Sequence, residues 1–245
     1  MKYIKLFENF EDYDPYELII LPPNKKGEML VSEIKKGDKG NLNLVRDLIE
    51  LGANLDWQDK FGSTALHRCA DYNHLEIARM LIDAGADLNM QDEDGWTALH
   101  WCAEGNRIDI ARMLLDAGAD LNKKNKYDWT VLHYCAFQNR IELASIFIDA
   151  GADLNSKQSN GWTALHWCAS KNYPEIARML IDAGADLNIQ DEFNQTSLHI
   201  CAIMNRPEIA RMLIDAGADK SIPNRNGVIP YALTKNQALK KLLKP

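Results

Sequence analysis

A fixed 33-residue period constrains this chain more than any other feature. Gly-Ala-Asp-Leu-Asn begins at Gly85, Gly118, Gly151 and Gly184, with variants at Gly52 and Gly217. Thr-Ala-Leu-His begins at Thr64, Thr97 and Thr163, with Thr-Val-Leu-His at Thr130 and Thr-Ser-Leu-His at Thr196. Both motifs return every 33 residues. A period of roughly 20–50 residues marks stacked supersecondary units rather than one closed globule. Five full units cover 59–223, a looser capping unit covers 26–58, and a truncated one covers 224–245, about seven in all. Residues 1–25 stand outside as a leader.

Each unit reads as two short helices. Thr64 and its equivalents are good N-caps for a helix over about 65–72. Asn73, Asn106, Asn139, Asn172 and Asn205 end that helix, because Asn tolerates the left-handed conformation of a helix terminus. A second helix over about 75–84 carries Ile77, Ala78, Leu81 and Ile82 on one face and stops at Gly85. Pro174 and Pro207 open two of these helices, where a first-turn proline costs no hydrogen bond. One pair of helices cannot bury a core alone, so stability comes from stacking. The ends then need wet outer faces, which Lys35, Lys36, Lys39 and Arg46 supply at one end and Lys235, Lys240, Lys241 and Lys244 at the other.

These motifs resemble the ankyrin repeat, with its Gly-x-Thr-Pro-Leu-His turn, two helices and Gly-Ala-Asp finger. The resemblance covers about nine tenths of the chain in one register. It implies an all-α ankyrin solenoid of stacked helix-turn-helix units with short turn fingers. The usual Pro before Leu-His is here Ala65, Ala98, Val131, Ala164 or Ser197, and the turn Gly is replaced by Asp128 and Asn194, which implies slightly less rigid turns there.

Two columns imitate chemistry. Cys69, Cys102, Cys135, Cys168 and Cys201 share one repeat position. Stacked helices lie ~8–10 Å apart and a disulfide needs Cα atoms within about 7 Å. Neighbouring thiols therefore stay unpaired, which fits a reducing, cytoplasmic compartment. His67, His100, His133, His166 and His199 each precede a Cys by two residues. Residues two apart on a helix do not share a face, and adjacent units lie too far apart for ligands at ~2.0–2.3 Å from one zinc ion. No metal and no cofactor is expected. The resemblance instead implies that each His ties its own turn to the next unit. Sets such as Glu76-Arg79-Asp83 and Glu175-Arg178-Asp182 read as paired charges on a solvated face. No phosphate loop, triad or nucleophile elbow occurs, so no catalytic residue is named and no enzyme is expected.

Charge and hydropathy exclude further classes. With 28 Lys+Arg against 35 Asp+Glu the net charge is −7, which argues against a nucleic-acid partner. No stretch approaches the roughly 20 apolar residues of a membrane span. The acidic first 20 residues lack the apolar core of a secretory signal. In the leader, Tyr3, Ile4, Leu6, Phe7 and Phe10 would make a short amphipathic helix, and Tyr13, Tyr16 and 18–21 an extended piece ended by Pro22-Pro23, together capping the first unit.

Function is sought where the units differ, since a solenoid holds its framework and varies its contacts. The residue before the turn Thr is Ser63, Trp96, Trp129, Trp162 and Gln195; the residue after the His is Arg68, Trp101, Tyr134, Trp167 and Ile200. The resemblance places these columns at the finger base and on the inner helix beside the concave side. Tyr72 and Phe137 share the inner-helix face, and Phe61, Tyr127 and Phe193 stand at finger tips. Buried Trp and Tyr are frequent interface anchors. The flanking Ser63 and Gln195 show that the fold does not require Trp; the competing reading is that each Trp pair only stiffens the stack. The expectation is a non-enzymatic protein-binding module, an inhibitor, sequestering protein or adaptor, gripping one protein partner. Glu104 and Lys171 interrupt the patch, which suits a specific partner better than lipid. The alternative is capture of a small ligand or modified residue by the central Trp/Tyr cluster. The chain is read as a monomer, although two copies could bury their Trp patches against each other.

Overall fold

The computed structural model describes residues 15–37 and 40–244. Among them every regular element is helical and no strand is present. The chain forms two compact units, Met1–Ala119 and Asp120–Pro245, here the N-unit and the C-unit. The N-unit holds α1 (Pro15–Ile19), α2 (Pro23–Ile34), α3 (Leu42–Glu50), α4 (Ala65–Tyr72), α5 (Leu75–Asp83), α6 (Ala98–Gly105) and α7 (Ile108–Asp116). The C-unit holds α8 (Val131–Gln138), α9 (Ile141–Asp149), α10 (Ala164–Lys171), α11 (Pro174–Asp182), α12 (Ser197–Met204), α13 (Pro207–Asp215), α14 (Pro230–Leu233) and α15 (Gln237–Leu243).

Each unit has two layers. In the N-unit α2, α4 and α6 pack side by side, as do α3, α5 and α7. In the C-unit α8, α10, α12 and α14 form one layer and α9, α11, α13 and α15 the other. The core lies between the layers. Cys69, Ala70, Ala78 and Leu81 fill it in the N-unit, and Cys135, Ala144, Phe147 and Leu180 in the C-unit, all fully buried. The five cysteines are free and buried.

The first helices start as their sequence dictates. Thr64 has an extended backbone, and its N–H donates to Nδ1 of His67, three residues on, at 3.0 Å. The same box recurs at Thr97, Thr130, Thr163 and Thr196. His thus stands where Glu or Gln usually closes a capping box. The helices end at the five asparagines, with φ between 54° and 64°. Orphan carbonyls at that end are met from the next helical pair. Arg107 Nη2 donates to Asp71 O at 2.8 Å, and Arg206 Nη2 to Ser170 O at 3.2 Å. Asp128 and Asn194 hold positive φ where the other turns have Gly. Asp128 also accepts a hydrogen bond from Ser159 Oγ at 2.9 Å, which links its finger to the next.

Three expectations change. Residues 15–19 are a short helix instead of an extended piece; Leu18 is buried while Ile19 and Ile20 face solvent. The expectations for Tyr3, Ile4, Leu6, Phe7, Phe10, Tyr13 and Lys39, and for the side chain of Tyr16, lie outside the described residues. Second, Lys35 and Arg46 reach towards the neighbouring repeat. Lys35 pairs with Asp59 at 2.6 Å, and Arg46 with Glu76 at 3.9 Å. Third, among the described residues Arg79, Arg178 and Arg211 make no ion pair within 4.0 Å, so the expected charge ladder on the second helices is open; exposed pairs of this kind gain too little to hold long side chains together.

Close approach at the N-terminal end leaves one glycine no freedom to change. A Cβ at Gly27 would collide with the Asn54 carbonyl oxygen and stand 2.7 Å from Trp57 Cβ. Gly27→Ala is expected to cost about 1–3 kcal/mol, the range for overpacking a tight contact. A lower urea midpoint at unchanged slope would show this; an unchanged midpoint would mean the finger yields.

Candidate functional site

Each finger begins with a residue that organises its own turn. Asp59 Oδ1 accepts Phe61 N–H at 2.9 Å and Ser63 N–H at 3.0 Å. Asp92, Asn125 and Asp191 repeat the pattern. The other side-chain atom serves the residue nine further on. Asp59 Oδ2 pairs with Arg68 at 2.7 Å, and Asp92 Oδ2 accepts from Trp101 Nε1 at 3.1 Å. Asn125 Nδ2 donates to the Tyr134 hydroxyl at 3.0 Å, and Gln158 Oε1 accepts from Trp167 Nε1 at 3.1 Å. Where Ile200 has no polar tip, Asp191 Oδ2 accepts from Trp162 Nε1 at 3.1 Å instead. Reading the columns singly missed this coupling. The signal was a polar Asp, Asn or Gln nine before each variable position.

The sequence-predicted aromatics form two groups. In the N-unit Trp96 and Trp101 pack with ring centroids 5.0 Å apart. Phe61 is exposed beside Lys60, and Tyr72 is exposed. A cavity of about 220 Å³ lies among Phe61, Arg68, Asp92, Asp94 and Trp101. In the C-unit Trp129 meets Tyr134 at 4.8 Å, Trp167 at 5.2 Å and Phe137 at 5.5 Å. Trp167 in turn meets Phe137 at 4.9 Å and Trp162 at 4.7 Å, both edge-on. Such spacings are direct ring contacts, so no planar ligand fits between the rings. Tyr134 is only 9% exposed and supports Trp129 from beneath. Trp129, Phe137, Trp162 and Trp167 are half-buried. Tyr127, 61% exposed, and Phe193 stand at their finger tips, the latter under Arg225.

The histidines join finger to finger. His67 Nε2 lies 2.9 Å from the Trp96 carbonyl oxygen, His133 Nε2 3.1 Å from that of Trp162, and His166 Nε2 3.1 Å from that of Gln195. Because Nδ1 accepts from a backbone N–H, the single proton of the neutral ring sits on Nε2 and donates to that carbonyl. Burial pulls His133 and His166 down to about 4, against the opposing effect of these carbonyls. Burial likewise pushes the five thiols above their ordinary range. Such thiols are not nucleophiles. Among the described residues no cluster of three or more His, Cys, Asp or Glu is placed to hold a metal ion. No described helix is long and apolar enough to cross a membrane.

A family model of ankyrin repeats in three copies matches residues 34–125 and again 132–224. The chain belongs to the ankyrin repeat family. Among solved structures it is similar to the ankyrin repeat domain of Bcl-3, described as a unique member of the IkappaB protein family. The TM-score is 0.81 at 26% identity, over 88% of this chain and 97% of that one. Comparison with curated protein sequences gives no significant match. Ankyrin repeats are protein–protein interaction modules on a non-enzymatic scaffold, and the all-α ankyrin stack implied by the resemblance is the fold found. With 596 chains of solved structures matching, the fold itself names no partner.

Two predictions follow from these contacts. Trp129→Ala opens a void among three rings and is expected to cost about 2–3 kcal/mol, below the full-burial range because the ring is half-exposed. Tyr127→Ala, at an exposed tip, is expected to stay within about 0.5 kcal/mol. Urea unfolding of both variants checks the contrast. The second concerns pH. Histidines with folded values near 4 bind protons more readily unfolded, where the value is about 6.5. Their contribution is whole above pH 6.5 and is lost as pH falls towards 4. Each is expected to remove about 1–2 kcal/mol by pH 5. His133→Gln/His166→Gln keeps a capping acceptor without a titrating ring. Its urea midpoint is expected to fall less between pH 7 and pH 5 than the wild-type midpoint; an equal fall places the acid sensitivity elsewhere.

Proposed function

We propose that this ankyrin chain is a non-enzymatic protein-binding module that sequesters, inhibits or recruits one protein partner through the first-helix face of its C-unit. The observation that carries the reading is the half-exposed ring cluster of Trp129, Phe137, Trp162 and Trp167. Its rings occupy positions where other repeats manage with Ser63, Gln195, Arg68 or Ile200. Large rings already held by their neighbours lose little freedom on binding, which lowers the ordering cost of association. Trp96, Trp101, Phe61 and Tyr72 form a further contact area on the N-unit. A cage for a small cation fits less well, because Lys171 Nζ already stands 4.4 Å over the Phe137 ring. The free buried thiols support a reducing compartment such as the cytoplasm.

The test compares wild type with Phe137→Ala/Trp167→Ala as baits for proteins of the source cell, with circular dichroism confirming that the variant folds. One protein held by wild type and lost at least tenfold by the folded variant is expected, as truncating an interface centre typically gives. Equal retention by both baits would assign the rings to stiffening the stack.

A further inference from the structure

The first helices of the C-unit are almost free of charge. Across 131–138, 164–171, 197–204 and 230–233 there is a single Lys, Arg, Asp or Glu, namely Lys171. Its ammonium lies 4.4 Å from the Phe137 ring centroid and 5.9 Å from that of Trp167. Among the described residues it has no carboxylate within 4.0 Å. Ring contact takes one side of the ammonium and leaves donors to solvent. Ile203 and Met204, at the end of the neighbouring α12, are 47% and 43% exposed. The C-unit as a whole has 15 Lys+Arg against 13 Asp+Glu, while the N-unit has 13 against 22. The C-unit face therefore differs in charge from the rest of this acidic chain.

We infer that the C-unit reads a partner segment in which one Asp or Glu is flanked by aliphatic or aromatic side chains. This rests on the protein-binding reading above and adds the chemistry of the partner. The carboxylate meets the Lys171 ammonium, whose position the two rings fix in advance. The flanking apolar side chains cover Ile203 and Met204 on one side and Phe137 and Trp167 on the other. A charge held on an apolar platform is stronger than one in open water, because part of its hydration is already gone. A basic partner segment is disfavoured, since it would bring a like charge against Lys171, the single charged residue of these four helices.

The test uses the full chain as target for a phage-displayed library of random 16-residue peptides. Enriched peptides are expected to share an Asp or Glu flanked by Leu, Ile, Met or Phe. A synthetic copy of the leading peptide is expected to bind Lys171→Glu at least tenfold more weakly than wild type, and Lys171→Met about threefold more weakly. Binding to wild type is expected to weaken with added salt. Arg178→Glu, on the second-helix layer, is expected to bind as wild type does. Circular dichroism confirms that each variant folds; Lys171→Met, which keeps the length of the side chain, serves if the charge reversal does not. Enrichment without an acidic residue, or equal binding to wild type and both Lys171 variants, overturns the inference. If such peptides still lose affinity for Phe137→Ala/Trp167→Ala, the protein-binding reading stands without it. No enrichment at all overturns the inference, and the capture experiment then decides the broader reading by itself.

Discussion

The histidine bridge is the interaction on which the stack depends. A single neutral imidazole closes the start of its own helix through Nδ1 and holds the next finger through Nε2–H. The first task fails if the ring is protonated, because Nδ1 would then face a backbone N–H as a donor; only the Nε2–H bond survives. The ring must therefore be buried and dry, and the core around it supplies that. The unpaired cysteines two residues on lie in the same apolar interior. A His-x-Cys column that looks like metal chemistry is a proton-locked joint.

The second recurring device is the finger's first residue. At Asp59, Asp92 and Asn125 it uses one side-chain atom to fold the turn and the other to orient the residue nine positions later; Gln158 orients Trp167, and Asp191 turns to Trp162. Aromatic rings on this scaffold are held at both ends: the polar tip by the finger, the ring face by neighbouring rings. That is how the indole N–H groups of Trp101, Trp162 and Trp167 find acceptors. It also reconciles the two readings of the aromatic columns. The rings stiffen the stack, and the same contacts present a rigid, half-exposed surface.

Family comparison and sequence agree on architecture and are silent on the partner. Sequence reading placed the helices, their Thr and Asn ends and the free thiols correctly because these follow from local rules repeated five times. It overestimated the charge ladder of the second helices: among the described residues Arg79, Arg178 and Arg211 make no ion pair within 4.0 Å. It also treated Tyr134 as an anchor, although the tyrosine lies beneath Trp129.

The 33-residue period, with the Thr, Asn and Gly signals it repeats, determined a stack of helical pairs. Thr, His, Asn and Gly each act within a few residues of their own position, and the repetition leaves no other way to bury the apolar faces. Which aromatic side chains meet one another, which are covered and which stand free was decided only by the tertiary structure. Trp129 and Trp167 are 38 positions apart yet touch, because stacking brings a finger base of one repeat against the inner helix of the next. Lys171 gains its place over Phe137 in the same way. Contacts between repeats depend on rotamers and on neighbours a whole period away, and no pattern within a single repeat encodes them.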